Sequence, residues 1–211
     1  MARRPFAMSG CGRFAQQLRR AAAHSARRDG KPAGRSRAAC RTMDVMADRH
    51  TLIVMRHAKA GELPGGPDFE RALRPRGLRD SAAAGSWLAE HGLRPDSVIC
   101  SSARRTRQTW QQLASTLGGE PAFTADQRLY QADADDLVEI IQQTASDVGT
   151  LLYIGHNPAA AELVEMLTGA GIDLPTAAIA VIAVAGDWAA LAAGDGELVA
   201  SWTPHTGEAD R

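Results

Sequence analysis

From residue 50 onward, apolar runs of strand length alternate with stretches of helical period. "TLIVMR" (51–56), "SVICS" (97–101), "TLLYIG" (150–155) and "AAIAVIAV" (177–184) are strong strand candidates, and "WAALAA" (188–193) and "ELVASW" (197–202) are weaker ones. Their apolarity is continuous rather than alternating, which predicts strands buried on both faces. Between them, residues 76–91 place Leu78, Ala82, Gly85 and Leu88 on one stripe, and residues 104–117 place Thr106, Thr109, Leu113 and Leu117 on another. Leu137, Ile140, Ile141 and Thr144 follow an i, i+3, i+4, i+7 pattern behind a cap at Asp133 or Ala134. Pro158 suits a first helical turn ahead of "AAAELVEMLTG", which Gly169 terminates. The order β-α-β-α-α-β-α-β with a C-terminal meander predicts an α/β fold, a three-layer α/β/α sandwich with a mostly parallel central sheet. A flexible loop is expected around "GELPGGPDF" (61–69), and no internal repeat is present.

Composition narrows the class. The 211 residues are 45% hydrophobic, which suits one globular domain with an ordinary core. The longest apolar run, Ala177 to Ala185, is far short of the roughly 20 residues that span a bilayer. Three cysteines (Cys11, Cys40 and Cys100) make no fully paired framework and no zinc-type spacing, so a reducing cytoplasm is the expected location. Cys100, inside a strand, reads as a small core residue.

Charge divides the chain. Residues 1–42 hold ten arginines and one lysine against Asp29 alone, a net +10, which leaves 13 basic and 23 acidic residues and a net −10 for residues 43–211. The segment is rich in Arg, Ala, Ser and Gly and too poor in large apolar groups to offset its ordering entropy. The expected organisation is a basic, disordered leader over 1–48 and one domain over 49–211. Three readings of the leader stand side by side. Phe14, Leu18 and Ala22 permit a basic amphipathic helix over 12–28, suited to an anionic membrane surface or a transit peptide. The same charge suits a basic arm contacting a polyanion or an acidic partner. Alternatively, the natural chain starts at Met43 or Met46, and Ala/Arg-rich coding bias accounts for the rest.

The chemistry gathers at strand ends. In open α/β sheets, ligands bind beyond the carboxyl ends of the strands, where loops and helix N-termini converge. The first strand ends on Arg56-His57, the second runs into "SSARRTRQT", and "TLLYIG" ends on His156-Asn157. A lone histidine at a strand end is usually structural, and an Arg-rich helix start opposes the helix dipole. Arginines placed against that dipole make sense when an anion sits between them and the backbone donors. Two guanidiniums and two imidazoles suit a tetrahedral phosphate dianion. One imidazole must be neutral to attack phosphorus, and the other should be protonated to stabilise the equatorial charge. The arginines supply the positive charge, so neither a metal nor a cofactor is implied.

These residues carry a resemblance. "LIVMRHAKA" (52–60) resembles the signature strand and Arg-His motif of the histidine phosphatase superfamily, with its phosphoglycerate-mutase-like fold. Alanine after the histidine resembles its short SixA-type branch of phosphohistidine phosphatases. "SSARRTRQT" is similar to the second motif, with Arg105 as its arginine, and "YIGHNP" to the third, with His156 as its histidine. "DFERALRPRGLRDSAAAGSWL" (68–88) is similar to the segment that follows the first motif in this branch, and the resemblance extends over residues 51 to about 203. It implies that His57 is the nucleophile and that Arg56, Arg105 and His156 hold the phosphoryl group. It also implies a phosphorylated protein or a small phosphorylated substrate as partner; no specific nucleic acid is expected, and the apolar runs are too short for a membrane span.

Other residues carry less. Lys59 touches phosphate or substrate, or is simply solvated, and Ser102 donates to phosphate or caps the following helix. Arg104 and Arg107 should turn away from Arg105. Larger members of the superfamily use a glutamate acid from an insertion after the second motif. Here "EPAFTADQRLYQADADD" (120–136) is short and offers only candidates such as Asp126, Asp133 and Asp135. An alkoxide leaving group needs a proton badly, whereas an imidazole can leave phosphohistidine neutral, so a missing acid favours protein phosphohistidine. A phosphomonoesterase for a small metabolite or nucleotide is the enzymatic alternative, and a phosphate-binding regulatory module the non-enzymatic one.

Overall fold

The structure, a computed structural model, describes residues 49–204. The basic leader, with its amphipathic stretch over 12–28, lies outside the described residues. Six strands form one sheet: β1 (Arg49–Arg56), β2 (Ser97–Ser101), β3 (Ala122–Asp126), β4 (Thr150–Gly155), β5 (Ile179–Ala185) and β6 (Gly196–Trp202). Their spatial order is β3-β2-β4-β1-β5-β6. Strands β1 to β4 run parallel, whereas β5 pairs antiparallel with both β1 and β6.

Among the described residues, four helices cover the sheet: α1 (Pro75–Glu90), α2 (Arg104–Leu117), α3 (Ala134–Gln142) and α4 (Ala159–Thr168). Strand pleating sends alternate residues into two cores. Leu52 and Val54 of β1 and Leu151 and Tyr153 of β4 pack with Leu137 and Ile141 of α3 and Leu163 and Leu167 of α4. Ile53 and Met55 of β1 and Leu152 and Ile154 of β4 pack with Leu88 of α1 and Leu113 and Leu117 of α2. The unbroken apolarity of these strands is therefore two-sided burial, as their pattern predicts. Among the described residues, no helix is long and apolar enough to cross a membrane.

Three elements differ from expectation. Strand β3 escapes the apolar pattern because Ala122 to Thr124 are exposed, and it is held at the sheet edge by pairing with β2. "WAALAA" is not a strand: Trp188–Ala190 form a 3-10 turn, pinned where buried Trp188 donates from its indole nitrogen to the Val148 carbonyl at 2.7 Å. Helix α1 buries Gly77, Ser81, Ala84, Gly85 and Leu88, so its inner face is rotated from the Leu78–Ala82 stripe. The cause is close approach. A β-carbon at Gly77 would strike the Lys59 carbonyl oxygen, and one at Gly85 the Leu113 carbonyl oxygen, so small residues face inward.

The caps match the sequence signals. Asp133 accepts from the Asp136 amide at 2.9 Å while the Asp136 side chain takes the Asp133 amide, a reciprocal cap on α3. Gly169 ends α4 in the left-handed conformation, at φ 68°.

Candidate active site

Because β2, β4 and β1 are parallel neighbours, their carboxyl ends deliver side chains to one edge of the sheet. The β1 end is held on both sides. The His57 amide donates to the Gly155 carbonyl at 2.9 Å, and the Ala177 amide lies 3.2 Å from the carbonyl oxygens of both Arg56 and His57. The turn that follows is tied to α2. The buried Thr109 hydroxyl accepts from the Ala58 amide at 3.0 Å and donates to the Arg105 carbonyl at 2.7 Å. This contact registers His57 against Arg105 across 48 residues of chain.

The side chains meet closely. His57 Nδ1 is 2.8 Å from the Ala58 carbonyl oxygen, which only accepts, so Nδ1 carries the proton. Its Nε2 then presents a lone pair and accepts from Arg105 Nε at 3.2 Å. His156 Nδ1 likewise lies 3.3 Å from an Arg105 terminal nitrogen, and its Nε2 stands 2.9 Å from the Ser101 hydroxyl. The two imidazole centres are 5.1 Å apart. Arg56 is anchored through one terminal nitrogen to the Leu174 carbonyl at 3.1 Å, an oxygen that Asn157 also bonds at 3.0 Å, while its Nε is buried with no partner among the described residues.

On the outer side of Arg105 stands Asp68. Its carboxylate is 3.0 Å from a terminal nitrogen of Arg105 and 2.7 Å from Arg71, and it accepts from the Tyr130 hydroxyl at 2.8 Å. The Tyr130 ring in turn meets His156 edge-on at 5.6 Å and lies 5.8 Å below the Arg105 guanidinium carbon.

Known proteins show the same arrangement of sequence and fold. A family model for the histidine phosphatase superfamily (branch 1) matches residues 49–149, which include Arg56, His57 and Arg105. A solved structure described as a putative phosphohistidine phosphatase SixA of Nakamurella multipartita superposes with a TM-score of 0.67 and 31% identity, covering 83% of this chain and 99% of that one. The chain belongs to the histidine phosphatase superfamily. A second putative SixA structure, from Agrobacterium tumefaciens, is 25% identical with a TM-score of 0.63, covering 74% of this chain and 98% of its own. An uncharacterised protein of Mycobacterium tuberculosis is 39% identical over 161 residues, covering 71% of this chain and 99% of that protein. These likenesses place this histidine phosphatase in the SixA-type branch.

The structure brings Arg56, His57, Arg105 and His156 together, and separates other candidates from them. Lys59 is exposed, as are Arg104 and Arg107, which turn away from buried Arg105. Ser102 does not cap α2: Ala103 occupies the cap position without a side-chain bond, and the Ser102 hydroxyl is buried with no partner among the described residues. Its neighbour Ser101 reaches His156 instead. Two of the candidate acids are engaged elsewhere. Asp126 is held by Arg128 at 2.7 Å, which keeps it below its ordinary pKa, and Asp133 caps α3. Asp135 lies exposed in the first turn of that helix. Sequence reasoning missed Asp68, Tyr130, Ser101 and Thr109 as members of the cluster. The serine-threonine spacing around Arg105 was a signal for two of them; Asp68 and Tyr130, 62 residues apart, had none. Cys100 is buried, and desolvation pushes its thiol up to about 12.

The histidine phosphatase holds both imidazoles neutral. Burial lowers His57 from 6.5 to about 3; the Ala58 carbonyl opposes this, and His156, Arg105 and Arg56 add to it. Burial and then Arg105 lower His156 to about 4, with Asp68 opposing. Neutral His57 meets the requirement for a nucleophile. Neutral His156 departs from the expectation of a protonated partner, because burial and the neighbouring guanidiniums outweigh Asp68.

A pH dependence follows. Below about 6.5 the unfolded chain takes up protons on these imidazoles that the folded chain refuses. The stability contributed by neutral His57 and His156 is therefore complete above about pH 6.5 and is lost as pH falls through about 4 and 3. Urea-unfolding midpoints between pH 7 and 4 should fall less steeply in His57→Ala than in wild type. Equal slopes would remove His57 from the account.

Proposed function

We propose that the protein is a phosphatase that works through phospho-His57 and hydrolyses phosphohistidine on a protein. The observation that carries this is the tautomer of His57. Its Nδ1 proton is committed to the Ala58 carbonyl, so Nε2 points a lone pair into a cluster of guanidinium and imidazole donors. In the first step, Nε2 attacks phosphorus and the substrate's P–N bond breaks, its electron pair leaving with the protonated substrate imidazole. In the second, water attacks phospho-His57, the new P–N bond breaks, and inorganic phosphate departs. Arg105 Nε and one terminal N–H, which bond the two imidazole lone pairs, turn to phosphoryl oxygens, and the buried Arg56 Nε, without a partner among the described residues, is free to donate to another. A dianion against His156 favours its protonated form, which supplies the second cation.

The choice of phosphoramidate over ester rests on proton supply. An ester oxygen leaves with a proton from a general acid, yet Asp126 and Asp133 are engaged away from the cluster. Asp68, which is in it, is held well below the ordinary carboxylate range by Arg71, then Tyr130, and has no proton to give near neutrality. The rim is open, with Asp68 50% exposed and Lys59 exposed, which suits a protein side chain better than an enclosed metabolite.

The test is turnover of a phosphoramidate against an aryl-free phosphate monoester under the same conditions, with Asp126→Asn and Asp133→Asn alongside. Preference for the phosphoramidate by about 100-fold or more in kcat/KM, the low end of what a positioned acid contributes, is expected, with little change in either variant. Preference for the ester, or its selective loss in one Asp→Asn variant, would overturn the substrate reading in favour of a phosphomonoesterase.

A further inference from the structure

We propose that Asp68 is a positioning residue for the phosphoryl site, acting through Arg105, with Tyr130 as its support. The inference rests on the phosphate-binding role proposed for Arg105.

The N–H groups of Arg105 divide into two sets. Nε and one terminal nitrogen face inward, to His57 Nε2 at 3.2 Å and His156 Nδ1 at 3.3 Å. The other terminal nitrogen donates to the Asp68 backbone carbonyl at 2.8 Å, and the Asp68 carboxylate lies 3.0 Å from the nitrogen that also reaches His156. Asp68 thus grips the outer edge of the fork with its main chain and its side chain together. The inner edge is left aimed between the imidazoles, where a phosphoryl group would sit. A guanidinium on a long side chain has many rotamers, and this double contact selects one.

Asp68 is itself fixed from two directions. Arg71 binds the second carboxylate oxygen at 2.7 Å and anchors through its own Nε to the Gly61 carbonyl at 2.7 Å. The Tyr130 hydroxyl donates to the oxygen that faces Arg105, and the Tyr130 ring is wedged between Phe69 at 5.1 Å and His156 at 5.6 Å. The loop before α1 and the turn after β3 therefore converge on a single guanidinium.

Stability alone is a poor account of this network. The Asp68 side chain is 50% exposed, and ion pairs at that exposure contribute little to folding. Arg105, only 8% exposed, gains the counter-charge and the orientation. The same carboxylate, however, repels an incoming dianion. Asp68 should therefore weaken anion binding while speeding phosphoryl transfer, a pair of opposite effects that a structural residue would not produce.

The experiment measures vanadate binding by calorimetry and the rate of phosphoenzyme formation from a labelled phosphoramidate, on wild type, Asp68→Asn and Tyr130→Phe. In Asp68→Asn, vanadate should bind about two- to fivefold more tightly, the scale of a half-exposed charge pair. Phosphoenzyme formation should slow by roughly tenfold or more, towards the order of 100-fold that misplacement by an ångström costs. Tyr130→Phe keeps the ring and the carboxylate, so it should slow phosphoenzyme formation by less and leave vanadate affinity close to that of wild type. Should Asp68→Asn not fold, Tyr130→Phe carries the test alone. A fall in both affinity and rate, or no change in either, would overturn the proposal. Absence of phosphoenzyme in wild type would instead strike at the catalytic reading on which it rests.

Discussion

His57→Ala is expected to abolish acid-labile phosphoenzyme and to reduce turnover to background, while leaving the fold intact. The loss should be near complete because no other group in the cluster offers a lone pair in the same place: His156 Nδ1 faces Arg105 and its Nε2 faces Ser101. Removal of a covalent nucleophile costs orders of magnitude, since one difficult displacement no longer divides into two easier ones. The fold should survive because the contacts that fix this position belong to the main chain. The His57 amide bonds Gly155 and the His57 carbonyl takes the Ala177 amide, and alanine keeps both. Acid-quenched trapping in EDTA, with circular dichroism on the same preparations, checks both halves. Label that persists in the variant would move the nucleophile elsewhere; gross unfolding would contradict the assignment of His57 to the site rather than to the core.

Arg105→Ala should weaken phosphate or vanadate binding by about 1.5–3 kcal/mol, the usual range for a hydrogen bond to a charged group. That is on the order of 10- to 100-fold in dissociation constant. The effect should lie towards the upper end, because Arg105 bonds both imidazoles and ties them directly to Asp68. Its removal also lifts one cause of the lowered pKa of each histidine, so some of the loss should be recovered at acid pH, where an imidazolium replaces the missing cation. Calorimetric titration at two pH values reads this directly. Unchanged affinity would place the anion site elsewhere.

The four clustered residues were legible because each stands at a feature that local sequence encodes. Arg56, His57 and His156 end apolar runs, and Arg105 lies on the inner face of a helix whose Thr106–Thr109–Leu113–Leu117 stripe is buried as its period predicts. Parallel pairing of β2, β4 and β1 then has only one outcome, the convergence of their carboxyl ends. Ser101 and Ser102 show where this legibility stops. They are adjacent hydroxyls with equal claims by sequence, and the strand end sends Ser101 to His156 and leaves Ser102 without a partner among the described residues.

Strand β3 and Asp68 were not legible, for a related reason. Strand β3 exists through main-chain bonds to β2 rather than through an apolar face, so no hydrophobic pattern marks it. Asp68 sits in a polar loop, and its partners Arg105 and Tyr130 are 37 and 62 residues away. The chain's own sequence determined the α/β class, the two-sided burial of the central strands, the caps of α3 and α4, and which basic groups meet at the sheet edge. Those are consequences of hydrophobic period and parallel topology. Only the tertiary structure decided the tautomer of His57, the neutral state of His156, the rotation of α1 around Gly77 and Gly85, and the grip of Asp68 on Arg105. Each of these depends on burial and on hydrogen bonds between distant segments, which local pattern does not encode.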